Sequence, residues 1–248
     1  MRLGSNGLLA KRSPFHVLPP ISHDYPPATP AERLALQPSD PLLPLKASAR
    51  LRIDPVYHRL GLAGSEPAIR LRAPLVRALE RVVDGLPQGL GLTLLDGFRS
   101  RTTSLAIFER IRDEIAVANP AWSGEEIERE TRRFCVHPSD PGHYPVPPHL
   151  SGGAIDLLVH CVESGEPLDF GAPFDDLTEL AGTDRFEHPV PGMAESRRLN
   201  IRDNRRLLFW SMAGEGFTNY PGEWWHFDMG DCLWATFRGG EYRYPAVE

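Results

Sequence analysis

The chain has 248 residues, enough for one large domain or two small ones. Its 41% hydrophobic and 24% charged residues are the make-up of a globular protein in water, and a net charge of −6 excludes a basic nucleic-acid-binding surface. No stretch approaches the roughly 20 consecutive apolar residues of a membrane span.

Met1-Arg-Leu-Gly-Ser-Asn-Gly lacks the basic, apolar and small-residue order of a secretory signal. Three cysteines, Cys135, Cys161 and Cys232, have no CxxC spacing and cannot all pair, so free thiols in the cytoplasm are expected. No internal repeat is present. Residues 1–45 are rich in proline, including Pro19-Pro20 and Pro26-Pro27, which predicts an extended, irregular segment ahead of a single domain over 46–248.

Residues 69–83 read as a helix: Leu75, Val76, Leu79, Val82 and Val83 recur at helical spacing and Gly85 follows as a stop. Residues 91–96 read as a strand that ends at the turn signal Asp96-Gly97 and then presents Arg99. A helix over 102–117 places Leu105, Phe108, Ile111 and Ile115 on one face, and Ser123-Gly-Glu-Glu126 is a capping box opening a charged helix to Phe134. In the proline-rich loop that follows, Cys135, His137 and His143 offer a rival metal cluster, without a fourth ligand to close a structural site.

Residues 154–160 read as a strand with Ile155, Leu157 and Val159 toward the core and Asp156 and Leu158 on the other face. Loops are expected over 169–176, where Asp175 and Asp176 read locally as capping carboxylates, and over 182–192. A long helix over 195–213 buries Leu199, Leu207, Leu208 and Trp210 and ends at Gly214 and Gly216. The strand-like stretch 223–228 puts His226 and Asp228 on one face, with Asp228 expected to face solvent rather than to orient His226.

Two of these stretches carry chemistry. In His149-Leu-Ser-Gly-Gly-Ala-Ile-Asp156 an odd offset would put the imidazole and the carboxylate on opposite faces of one strand, and Gly152-Gly153 argues against a helix. A turn carrying His149, a glycine bend and a strand carrying Asp156 remain, with the bend folding one residue back over the other. Downstream, Glu223-Trp-Trp-His226 supplies a second carboxylate and a second imidazole. Alone, either stretch is an ordinary turn or aromatic core segment. Together, His149, Asp156 and His226 are the three protein ligands of an open catalytic zinc site, one ion per chain, with Glu223 as the base beside it.

With Asp96-Gly-Phe-Arg99, Gly171-x-x-Phe174-Asp175 and Asn204-Arg-Arg-Leu-Leu208 added to these motifs, the chain resembles the zinc D-alanyl-D-alanine dipeptidases. This vancomycin-resistance dipeptidase-like group is a branch of the DD-peptidase/hedgehog-like metallopeptidases. The resemblance runs from about Asp40 to the Trp234 region. It implies an α+β fold with a mainly antiparallel central sheet and flanking helices. It also implies that Arg99, rather than its neighbour Arg101, supports the reacting carbonyl oxygen, and that Asp175 lies near the ammonium of the substrate. The implied partner is a small dipeptide, D-alanyl-D-alanine or a related short D-amino-acid-containing one, with no nucleic acid and no membrane.

The sequence departs from the family where many members carry Ser-x-His, the serine helping to bind the substrate's N-terminus. Pro147-Pro148-His149 stands there, and proline offers neither a hydroxyl nor an N–H. Two alternatives remain: a peptidoglycan D,D- or L,D-carboxypeptidase or endopeptidase of the same superfamily, and a metal-binding module without catalysis. Glu223 and Arg99 speak against the module, because holding a metal requires neither.

Overall fold

A computed structural model of the protein describes residues 18–140, 142 and 144–247. In chain order it forms α1 (Pro30–Leu34), β1 (Leu42–Pro44), β2 (Leu51–Ile53), α2 (Val56–Arg59), β3 (Arg70–Arg72), α3 (Ala73–Gly85), β4 (Leu90–Asp96), α4 (Arg101–Ala118), α5 (Gly124–Phe134), α6 (Pro148–Ser151), β5 (Ala154–Cys161), α7 (Glu195–Gly214), β6 (Thr218–Asn219), β7 (His226–Asp228) and α8 (Cys232–Arg238). The fold is α+β. Its five-stranded sheet has the order β2-β4-β5-β7-β6, and β1 pairs with β3 in a small antiparallel ribbon. The large sheet is mixed rather than wholly antiparallel: β2 runs parallel to β4, and the β4–β5, β5–β7 and β6–β7 pairs are antiparallel.

β5 is the middle strand. Ile155, Leu157 and Val159 are fully buried on one face, where Leu75, Leu79 and Val82 of α3 and Leu208 and Met212 of α7 join them in the core. Asp156, on the opposite face, is also buried, at 2% exposure. Both faces of β5 are therefore covered, and the carboxylate must have partners, because an unpaired buried charge costs several kcal/mol.

Local chemistry sets the element boundaries. The helix predicted from residue 69 begins at Ala73 instead, because Arg70–Arg72 pairs with β1 and Pro74 lies in the first turn of α3. Proline fits there, where its missing N–H would find no partner, and not one turn further in. Ser100 caps α4 by accepting from the Thr103 N–H, and Ser123 and Glu126 form the predicted capping box of α5.

The proline-rich segment is not irregular throughout. Residues 1–17 lie outside the described residues; beyond them Thr29 and Glu32 cap α1, and Leu42–Pro44 is the ribbon strand β1. The segment lies across the domain, with the Leu18 and Pro19 carbonyls accepting from Arg206 and Trp210 of α7. Among the described residues no helix is long and apolar enough to cross a membrane.

α7 also holds the 169–183 loop. Arg205 is buried, and its guanidinium donates to the carbonyls of Phe170 at 2.9 Å, Leu180 at 2.6 Å and Gly182. Asn204 Nδ2 donates to the Asp169 carbonyl at 2.9 Å. Buried guanidinium donors satisfied by loop carbonyls fix the course of a segment that has no strand or α-helix of its own.

Gly152 ends α6 in the left-handed region at φ +73, and a Cβ there would lie 2.4 Å from Leu42 Cδ2. Gly152→Ala should lower the unfolding free energy by about 1–3 kcal/mol, the left-handed penalty plus displacement of Leu42. Gly85→Ala, at the end of α3 with nothing near the added methyl, should be neutral or slightly stabilising. Urea titration of both variants checks the contrast.

Candidate metal centre

Strand register builds the site. Asp156 lies opposite His226 across β5–β7 and opposite Asp96 across β4–β5, so three polar residues form a row across three neighbouring strands. The row depends on a register shift between Leu94 and Asp96, because the β4–β5 pairing otherwise advances without a break. His149 reaches the row from α6, just before the glycine bend. The expected turn is thus one short helix closed by Gly152, and it folds His149 over the strand that carries Asp156.

Hydrogen bonds orient both imidazoles. His149 Nδ1 donates to the Gly97 carbonyl at 2.8 Å, which turns its Nε2 toward the row. His226 Nε2 donates to Asp228 Oδ1 at 2.8 Å and its Nδ1 to Asp156 Oδ1 at 3.0 Å; although burial opposes its charge, Asp228 and Asp156 hold its pKa well above the ordinary histidine value, so without a metal it is an imidazolium. His149 Nε2 and His226 Nδ1 face each other at 3.2 Å, and Asp156 Oδ2 lies 3.4 Å from His149. The three ligand atoms lie within 4.8 Å of one another. A bound cation would displace the Nδ1 proton of His226 and take the three atoms as ligands, so the donor set fits a divalent metal of zinc type.

Asp228 corrects the expectation of a solvent-facing residue. It is completely buried and accepts from His226, so it sets the ring orientation of that ligand. A carboxylate behind a metal-binding histidine fixes its tautomer and raises its basicity. In the rival cluster, His143 lies outside the described residues, while His137 stacks edge-on against Phe108 with ring centroids 4.9 Å apart.

The remaining candidates line the same cavity, about 170 Å³ in volume. Arg99 donates from Nε to Asp96 Oδ2 at 2.8 Å, places Nη2 3.6 Å from Asp156 Oδ2 and stacks over the Tyr57 ring at 5.0 Å. Although burial opposes its charge, Asp96, Tyr57 and Asp156 hold its pKa above the ordinary arginine value, so it stays a cation. Glu223 approaches the Nδ1 of His226 to 3.9 Å. Asp175 opens onto the cavity at φ 62, the one non-glycine positive φ among the described residues, and Tyr57 Oη donates to both its oxygens at 3.0 Å. Asp tolerates the left-handed region at a modest cost, and such conformations persist where the surroundings enforce them.

Tyr57 has no signal in the local sequence as a member of this site, and Asp96 only its place in the motif that ends at Arg99. Asp96 lies 3.3 Å from His149 Nδ1 besides holding Arg99, and Tyr57 is a buried aromatic on the four-residue helix α2.

Burial and neighbouring charges set the pKa values of the carboxylates at the cavity. Asp156 resists its burial because His149 and His226 hold its carboxyl well below the usual range. Glu223 is pushed up to about 8, first by burial and then, against the pull of His226, by the charges of Asp156 and Asp175. Asp175 is pushed up to about 7 by burial and by the charge of Asp156. A bound cation would offset all of these and return Glu223 to its basic form at neutral pH.

In the metal-free protein the sign is fixed. Glu223 is ionised at pH 6 when unfolded and protonated when folded, so the folded state binds more protons and its stability falls as pH rises through about 8. Asp175 acts in the same direction through about 7. The melting temperature of chelator-treated protein should therefore fall between pH 6 and 9, and Glu223→Gln, neutral throughout, should flatten that slope. Calorimetry across the range reads both.

The sequence has counterparts among known proteins. A family model described as D-ala-D-ala dipeptidase matches residues 76–243. A D-alanyl-D-alanine dipeptidase of Synechocystis sp. is 26% identical over 211 residues, covering 79% of this chain and 84% of that protein. One from Enterococcus faecium is 35% identical over 147 residues, covering 58% of this chain and 64% of that one. The crystal structure of the vancomycin resistance D,D-pentapeptidase VanY in complex with Zn(II) matches 85% of this chain and 86% of its own at 14% identity and a TM-score of 0.43, a likeness too loose to bear on residue roles. With the family model spanning most of the chain, including every residue of the converging His, Asp, His set, the chain belongs to the D-ala-D-ala dipeptidase family of metallopeptidases.

Proposed function

We propose that this chain is a zinc dipeptidase that hydrolyses D-alanyl-D-alanine or a closely related short dipeptide containing a D-amino acid, with residues 46–248 as the peptidase domain. The observation that carries the reading is the convergence of three ligand atoms beside Glu223, Arg99 and Asp175 in one small cavity. Its volume lies below the ~300–1,000 Å³ of drug-sized sites, which favours a small substrate. Three free cysteines, Cys135, Cys161 and Cys232, suit a reducing compartment such as the cytoplasm, and the substrate class suits turnover of cell-wall precursors.

His149, Asp156 and His226 would hold a zinc ion, which when bound would supply Lewis acidity to the scissile carbonyl and to the attacking water. Glu223 takes the proton of the attacking water and then hands it to the leaving amine. Arg99, fixed by Asp96 and stacked on Tyr57, directs its free donors at the carbonyl oxygen as that oxygen gains charge. Asp175, oriented by Tyr57, accepts the substrate's ammonium. Pro147 lines the cavity without a donor or hydroxyl, so ammonium recognition falls on Asp175.

A second reading, a carboxypeptidase or endopeptidase acting on longer wall peptides, draws on one feature. Past Tyr144, Tyr220 and Leu233 the cavity adjoins an open groove lined by prolines and aromatics of the α8 region.

Glu223→Gln should retain one zinc per chain while kcat falls about 10²–10⁴-fold, since Gln keeps the shape and cannot accept the proton. His149→Ala should lose the zinc itself. Metal analysis alongside kinetics separates the two, and near-normal kcat in the Gln variant would remove Glu223 from its role.

The substrate end is tested by blocking the amine. N-acetyl-D-Ala-D-Ala should be cleaved with kcat/KM lower by roughly ten- to a hundredfold, the worth of a charge-assisted contact. Asp175→Asn should cost the free dipeptide a similar factor and the acetylated one much less. Equal cleavage of both substrates by the wild type, or preference for a stem peptide, would favour the second reading.

A further inference from the structure

The strap over residues 18–28 lies outside the 76–243 stretch that the family model matches, yet it reaches the turn that carries Glu223 and His226. The connection runs through one side chain. Asn219 of β6 is completely buried. Its Nδ2 donates to the Glu223 carbonyl at 3.0 Å and to the His226 carbonyl at 2.9 Å, and so ties the two residues together from beneath the turn.

Those partners fix which way the amide points. Carbonyls only accept, so the atom facing them is the nitrogen and the atom facing away is Oδ1. Oδ1 accepts from Thr183 Oγ1 at 2.7 Å and from His23 Nε2 at 3.0 Å. The main-chain N–H of Asn219 donates to Tyr25 Oη at 3.0 Å. Both ends of the buried amide and its main-chain donor are thus used, as burial requires, and two of the partners come from the strap.

The strap is seated for this task. The His23 ring packs edge-on against Phe209 of α7 at 5.4 Å, and the Tyr25 ring against Phe237 of α8 at 5.8 Å. On one side of them the Ile21 N–H donates to Glu187 Oε1 at 3.1 Å, and on the other the Ala28 N–H donates to the Arg238 carbonyl at 2.8 Å. Glu223 needs such help. Its carboxylate comes only to 3.9 Å from His226, so its place is set through the main chain, where its N–H donates to the Tyr220 carbonyl at 3.1 Å and its carbonyl accepts from Asn219.

We propose that the N-terminal strap positions the turn that presents Glu223: His23 and Tyr25 lock Asn219, and Asn219 locks the carbonyls of Glu223 and His226. None of the three lines the cavity, so they are positioning residues. The segment ahead of the matched family stretch then belongs to the working site as well as covering the domain.

The inference rests on the proposed function for its kinetic readout but not for its exchange readout. His23→Phe keeps a ring against Phe209 and removes the donor, whereas His23→Gln gives up the ring and keeps an N–H at similar reach. Because a misplacement of ~1 Å costs on the order of a hundredfold, the full-length, zinc-loaded Phe variant should lose about five- to fiftyfold in kcat for D-Ala-D-Ala, with KM within about twofold and melting little changed. The Gln variant should recover kcat to within about threefold of wild type. Hydrogen–deuterium exchange of the metal-free protein, read by mass spectrometry over residues 220–226, should be faster in the Phe variant and like wild type in the Gln variant.

Wild-type kcat and exchange in the Phe variant, or a Gln variant as impaired as the Phe variant, would reduce the strap to packing and overturn the proposal. If His23→Phe melts far below the wild type, Tyr25→Phe takes the same two measurements with the same expectation, since it keeps the ring on Phe237 and loses only the acceptor for the Asn219 N–H. A wild type that hydrolyses no dipeptide would count against the proposed function, and the exchange comparison would still judge the strap.

Discussion

The pairing of β5 with β7 puts Asp156 opposite His226, and the rest of the centre is arranged around that register. A slip of one residue would turn Asp156 into the apolar core and bring Ile155 to the site. The sheet resists such a slip because Ile155, Leu157 and Val159 are all fully buried against α3 and α7. Packing on one face therefore fixes the chemistry on the other. The two glycines before β5 have the complementary task of letting α6 carry His149 back over the strand.

Charge is the second constraint. Asp156, Asp175 and Glu223 line the cavity together with Arg99, Arg132 and Arg133, and Asp96 and Asp228 stand behind Arg99 and His226. Gathering so much like charge in a partly dry cavity is unfavourable for a metal-free fold. The structure limits the cost by tying each carboxylate to a donor: Asp96 to Arg99, Asp175 to Tyr57, Asp228 to His226. Glu223 is the least tied of them, the freedom that its proposed role as a proton-exchanging base would require.

Much of this could be read from the chain. The spacing of His149 and Asp156 across a glycine pair, and of Glu223 and His226, named the groups that the structure brings together. Capping residues Ser100 and Ser123 mark two helix starts within a residue of the predictions. What escaped was non-local. The alternation of β7 puts Asp228 on the face of His226 but says nothing about α8 and its loop, which bury it. The strand at Arg70–Arg72 is made by a partner more than twenty-five residues upstream, so helical periodicity ran through it unopposed. The row from Asp96 to His226 needs a bulge in β4 that no residue type there announces.

The grip of α7 on the 169–183 loop separates two responsibilities. The metal ligands stand on the sheet and on α6, while Asp175 rides on a loop fastened from the opposite side by Arg205 and Asn204 through main-chain carbonyls. Those carbonyls are present whatever side chains the loop carries. Substitutions at its exposed positions, unlike the buried Phe170 stacked on Trp224, can therefore leave that anchorage in place. In evolutionary terms, the proposed substrate end of the site could vary at those positions while the proposed ligand set stays in place.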